Sequence, residues 1–175
     1  MILRMPRDPK TTFVPGQHKL EDLARLAVEN SQHRGSRLTS LQKSALQDFR
    51  RVKLVPSETS TTKIANIYIS IFDRLFFFGS LKGRISFTAT GEVSNRIYGY
   101  TDPLGDSRQP QEAKIAVNTL YHNRKGRILQ HLATMLHEMI DAYLMIHMLP
   151  VYLDGETSFY KDGHTGHGAS WQDVA

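Results

Sequence analysis

The sequence predicts an α+β domain in which a long helix packs on a small, mainly antiparallel sheet, with a helical extension at the amino terminus. Two patterns lead to this prediction. Apolar residues recur at helical spacing in several segments, whereas a middle stretch is rich in β-branched and aromatic residues around glycine. With 175 residues, of which 40% are hydrophobic, the chain is long enough to bury one core of ordinary size.

The amino-terminal third is predicted to be helical after an irregular start. Residues 1–19 contain three prolines and show neither helical nor strand periodicity, so we expect a mobile arm there. Helices are expected at Leu20–Val28 and Leu41–Val52, where apolar residues recur every three or four positions, with a turn at Gly35–Ser40 between them. We assign residues 1–60 to this arm and helical extension.

The main domain is assigned to residues 61–175 and contains two further predicted helices. Lys63–Phe78 is densely apolar, and Gly79 provides a stop signal, so this helix is expected to be buried. Arg127–Met148 reads as one long amphipathic helix that ends before Pro150, since proline cannot continue a helix.

Three short strands are predicted between these two helices. Arg84–Thr90 and Asn95–Tyr100 have strand-forming residues on either side of Gly91, which is typical of a hairpin. Lys114–Val117 is expected to add a third strand. The predicted sheet is therefore small.

Composition narrows the chemistry that the chain can perform. It contains no cysteine, which excludes disulfides, thiolate metal sites and cysteine nucleophiles, so any metal must be held by His, Asp or Glu. No hydrophobic run reaches the length of a membrane span, and the first residues lack the apolar core of a signal peptide. We expect a soluble, unsecreted protein with no membrane partner. The net charge of +5 permits association with polyanions.

A polar band on the long helix carries the candidate chemistry. At ~100° per residue, one side of the helix presents Gln130, Thr134, His137, Glu138 and Asp141 among apolar neighbours. Side chains four residues apart project on the same side, so His137 and Asp141 are candidate ligands of one divalent metal ion. The alternative is that the band is a solvated helix face.

A second motif supplies further candidate ligands. The segment GHTGHGASW contains His164 and His167, each next to glycines that allow the backbone to approach closely. We prefer His167 as the third ligand of a tetrahedral site and keep His164 as an alternative ligand. In an HExxH-like arrangement Glu138 would not ligate the metal but would take a proton from the water that the metal activates.

The motifs ATMLHEMIDAYL and GHGASW, preceded by FDRLFFFGSLKGRISF and AKIAVNTL, resemble those of the SprT-like domain, notably of its fungal members. The resemblance spans residues 61–175. It implies a zincin-like fold and a zinc cofactor, with His137 as first ligand, His167 as third ligand and Glu138 as general base. Trp171 fills the aromatic position of the second motif and is expected to pack.

The resemblance also implies a function. SprT-like peptidases of the Spartan type degrade proteins that are trapped on DNA, so the expected partners are a protein substrate and DNA, and the expected location is nuclear. The alternative is a catalytically inactive domain that binds DNA or protein. Because the chain stops four residues after Trp171, we expect the domain to be truncated at its carboxy terminus.

Asp141 departs from the family pattern, which has histidine at this position. Either the carboxylate ligates zinc through one oxygen, or it is too short to replace imidazole and the site has lost its metal. Retention of both Glu138 and His167 favours an enzyme. An anionic ligand would leave less positive charge on the metal, so water would be acidified less and activity would shift to higher pH.

Overall fold

The computed structural model describes residues 13–52, 61–91, 98–106, 108–118 and 127–150. Within these residues the protein is an α+β structure with four α-helices and a three-stranded sheet. The predicted coarse fold class is therefore confirmed.

The four described helices are α1 (Leu20–Ser31), α2 (Ser40–Arg51), α3 (Thr61–Phe76) and α4 (Arg127–His147). A 3₁₀ turn at Gly35–Arg37 joins α1 to α2. Each helix matches its predicted position to within three residues at either end, because the apolar periodicity that specifies a helix is contained within the segment itself.

Side-chain hydrogen bonds at the start of α2 tie the first three helices together. Thr39 and Gln42 form a capping box, in which the Gln42 main-chain N–H donates to Thr39 Oγ1 at 3.2 Å. The side-chain amide of Gln42 (Nε2) also donates to the main-chain oxygens of Asn30 at 2.9 Å and Leu75 at 3.1 Å. These carbonyls lie near the ends of α1 and α3, where helices leave acceptors unpaired. Helices α1 and α2 are therefore fastened to the end of α3.

The sheet consists of β1 (Ile85–Thr90), β2 (Gly99–Leu104) and β3 (Glu112–Asn118), in the order β1-β3-β2. Strand β3 pairs in parallel with β1 and antiparallel with β2. The sheet is therefore mixed, and the predicted mainly antiparallel sheet and the predicted hairpin are both wrong. Strand β3 is the most buried of the three strands and takes the centre, as expected for a strand with a nearly continuous apolar run.

The amino-terminal arm is docked on the end of α4 from Phe13 onward, so the expected mobile arm is wrong for this part of it. Phe13 is buried and stacks on Phe78, with ring centroids 4.9 Å apart. The main-chain N–H of Gly16 donates to the Ile146 carbonyl at 2.9 Å, and that of His18 donates to the His147 carbonyl at 3.0 Å. Both carbonyls belong to the last turn of α4, where no intrahelical donor reaches them. Residues 1–12 lie outside the described residues.

A single hydrophobic cluster connects the four helices and the sheet. Tyr143 of α4, Phe77 after α3 and Ile115 of β3 are at most 1% exposed. Helix α4 is thus held by both the sheet and the other helices. Among the described residues, no helix has the length and apolar character needed to cross a membrane.

Asp73 is a carboxylic acid in the interior of the protein. It is 3% exposed, and the main-chain N–H of Leu81 donates to its Oδ1 at 3.0 Å, which fixes the turn after α3. Burial raises the pKa of Asp73 to about 7, although this hydrogen bond and the nearby charge of Arg74 oppose the rise.

His147 is a fully buried histidine near the docked arm. Its Nε2 lies 3.1 Å from Ser80 Oγ, as expected for a hydrogen-bonded core histidine. Burial lowers the pKa of His147 to about 3, and the nearby His18 and Arg84 act in the same direction.

Asp73 and His147 should give opposite contributions to the pH dependence of stability. Between about pH 4 and 7 Asp73 is protonated in the folded protein but ionised in the unfolded chain. Its contribution to the free energy of unfolding therefore falls as the pH rises. Between about pH 3 and 6.5 His147 is protonated only when unfolded, so its contribution falls as the pH drops. Relative to wild type, Asp73→Asn should gain stability with rising pH, and His147→Gln should gain it with falling pH.

Each group can change the free energy of unfolding by at most about 1.4 kcal/mol per pH unit. Urea unfolding at several pH values measures these changes. If the free energies of unfolding of both variants changed with pH in parallel with that of wild type, the pKa shifts described for the two buried groups would be contradicted.

Candidate metal and catalytic site

The predicted polar band of α4 faces the sheet. Glu138 is only 5% exposed, whereas Thr134, His137 and Asp141 are half-buried and Gln130 at the amino-terminal end of the band is exposed. The interpretation of the band as a solvated helix face is therefore wrong for Glu138. Because ionisable groups at such a half-buried contact cost stability unless they are paired, Glu138 in particular needs a hydrogen-bond partner.

Close packing between α4 and β2 depends on Gly99. A β-carbon added at this position would lie 2.7 Å from Thr134 Cγ2, 2.9 Å from the Ala116 carbonyl oxygen and 3.0 Å from Glu138 Oε1. The first two distances are shorter than real contacts of a β-carbon, so with any larger residue here Thr134 of the helix and the Ala116 carbonyl of β3 would have to shift. Glycine thus allows the Glu138 carboxylate to lie directly against the strand.

Thr101 of β2 is the hydrogen-bond partner of Glu138. Its Oγ1 lies 2.8 Å from Glu138 Oε2 and 3.0 Å from the main-chain oxygen of the same residue. A hydroxyl group has one proton to donate and lone pairs to accept with. When Glu138 is ionised, Thr101 can donate to its carboxylate. When Glu138 is protonated, Thr101 can accept from the acid and donate to the main-chain oxygen.

The surroundings of Glu138 shift its acidity toward neutrality. Burial raises the pKa of Glu138 to about 7, the hydrogen bond from Thr101 opposes the rise, and the negative charge of Asp141 adds to it. A group that exchanges its proton near neutral pH is suited to act first as a base and then as an acid.

His137 and Asp141 supply two donor groups beside Glu138. They lie one turn apart on the same side of α4 and are both half-buried, and imidazole nitrogen and carboxylate oxygen are both accepted by zinc. Within the described part of the chain, no group of three or more His, Asp or Glu residues is placed to hold a metal ion. The predicted third ligand His167 and the alternative His164 lie outside the described residues, as does Trp171. The donor types at hand fit zinc, and one further ligand is needed to complete a protein set of three.

Thr101 and Gly99 were not among the site residues predicted from the sequence. Threonine is common in strands, and nothing local links residue 101 to a glutamate on a helix much later in the chain. A signal did exist at Gly99, because an isolated glycine between strand-forming residues indicates a bulge or a close approach of another element. Here the close approach is that of α4.

Comparisons with protein-family models, curated proteins and solved structures gave no match for this chain. The likeness to the SprT-like domain therefore rests on the motifs of the sequence.

We predict that Gly99→Ala destabilises the protein by about 1–3 kcal/mol, because Thr134 and the Ala116 carbonyl must both move. Urea unfolding measures the loss. Adding Thr134→Ser removes the methyl group nearest the new β-carbon but leaves the backbone contact, so the double variant should recover only part of the stability. Thr134→Ser alone is the matched control. A Gly99→Ala protein as stable as wild type would contradict the close packing described for α4 and β2.

Proposed function

We propose that the chain is a zinc-dependent peptidase of the SprT-like type, with a zincin-like fold and Glu138 as its general base. His137, Asp141 and His167 are the proposed zinc ligands. The observation that supports this most is the burial of the Glu138 carboxylate against β2, next to two zinc-compatible donors on the same helix. A carboxyl group at a helix–sheet contact costs more to bury than an apolar side chain does, which supports a chemical role for this one.

Glu138 has the properties that peptide hydrolysis requires. Zinc, when bound, polarises the scissile carbonyl and makes water more acidic. The Glu138 carboxylate accepts the proton that the attacking water releases. The resulting acid can then donate this proton to the departing amine nitrogen.

Asp141 sets the expected pH dependence of this reaction. As a ligand it would leave less positive charge on zinc than a histidine does, so a higher pH would be needed to ionise the attacking water. This effect moves the rise in activity toward higher pH.

The second candidate function is a domain that has lost zinc and binds DNA or protein. The replacement of the family histidine by Asp141 favours it, as does the excess of 22 Lys and Arg over 17 Asp and Glu. We prefer the peptidase because Gly99 and Thr101 form a close and hydrogen-bonded setting for Glu138. DNA-bound proteins as substrates remain part of the proposal through the motif resemblance and the net charge.

The general base can be tested with Glu138→Gln, which keeps the size of the side chain but cannot accept the proton. We expect zinc-loaded wild-type protein to cleave a denatured protein substrate and the variant to be slower by about 10²-fold or more, because general base catalysis contributes at least that much. Zinc content, measured by elemental analysis, should be unchanged. His131→Gln, which alters another half-buried residue of α4, is the matched control and should keep the activity. Cleavage at the wild-type rate by Glu138→Gln would rule out this role for Glu138.

A further inference from the structure

The contact between Thr101 and Glu138 joins two elements that the fold positions independently. Thr101 lies on β2 and is paired with Ile115 of the central strand, which is fully buried. Its β-branched side chain has few rotamers available, so the strand backbone determines the direction of its hydroxyl. Glu138 lies on α4 and has a longer side chain with more rotatable bonds. The threonine is therefore the rigid member of the pair.

The Thr101 hydroxyl contacts both the side chain and the main chain of Glu138. Thr101 Oγ1 lies within hydrogen-bond distance of the Glu138 carboxylate and of the Glu138 main-chain oxygen. One atom of β2 thus restrains the carboxylate relative to the backbone of α4. Gly99, two residues before Thr101 on the same face of the strand, leaves the space that brings the strand to this distance.

We propose that Thr101 is a positioning residue that fixes the rotamer of Glu138 for proton transfer. This inference rests on the proposed peptidase function. A general base works only when it is held close to the proton that it takes, and a carboxylate misplaced by about 1 Å can lose about 10²-fold in rate. Thr101 acts through Glu138 and has no part in the chemistry of its own.

The contact itself can be tested without zinc or substrate. In the presence of a chelator, the free energies of unfolding of wild type, Thr101→Val, Glu138→Ala and the double variant form a double-mutant cycle. We expect the double variant to differ clearly from the sum of the two single changes. Thr88→Val, which makes the same change on the other edge strand of the sheet, should be additive with Glu138→Ala. Additive behaviour of Thr101→Val would overturn the inference.

The catalytic consequence is measured with the zinc-loaded proteins. Thr101→Val should lower kcat by about 10-fold to 10²-fold while KM changes by less than about 3-fold, because a misplaced base affects the transition state more than substrate binding. Thr101→Ser keeps the hydroxyl and should stay within about 3-fold of the wild-type kcat. Zinc content should be equal in all proteins, and Thr88→Val should keep the wild-type kcat.

Failure of this inference can be told apart from failure of the proposed function. If wild type takes up no zinc and cleaves nothing, the peptidase proposal fails and the positioning role fails with it, whatever coupling the metal-free cycle shows. If wild type cleaves but Thr101→Val has the same kcat, or Thr101→Ser is as slow as Thr101→Val, only the inference about Thr101 is overturned. A loss of stability in Thr101→Val without a loss of kcat would show that the hydroxyl is purely structural.

Discussion

The close packing of α4 on β2 is the constraint on which the candidate site depends. Because Gly99 has no side chain, the helix lies near enough to the strand for Glu138 to be buried and still reach Thr101. Burial without that hydrogen bond would leave an unsatisfied acid in the interior, and the hydrogen bond without burial would lower the pKa of Glu138 instead of raising it. The position and the raised pKa of the carboxyl group therefore have a common structural origin.

The rest of the fold holds α4 in this position. The docked arm supplies main-chain donors to the last turn of the helix, and the hydrophobic cluster packs Tyr143 and its neighbours against the other helices. All six residues of β2 pair with the central strand β3, and this pairing sets the position of β2 relative to α4. A change in any of these contacts would displace Glu138, because a well-packed interior transmits small displacements.

The sequence was sufficient for those features that depend on local periodicity. The four helices were predicted close to their observed positions, and the helical wheel placed His137, Glu138 and Asp141 on one side of α4. Strand neighbours were predicted incorrectly, since alternation along a strand does not specify its partner and β3 separates β1 from β2. Docking of the arm and the contact from Thr101 were also missed, because each joins segments that are distant in the chain. The roles of His164 and His167 stay predictions, since both lie outside the described residues.

The zinc stoichiometry of the full chain tests most directly whether Asp141 is a zinc ligand, as proposed, or the trace of a lost site. Native mass spectrometry after zinc titration should show one zinc ion per wild-type chain and none on Asp141→Ala. Asp141→His should bind zinc more tightly than wild type, because imidazole is the ligand of the family motif and is well accepted by zinc. Wild-type protein that takes up no zinc, or Asp141→Ala protein that binds it as tightly as wild type, would contradict the account.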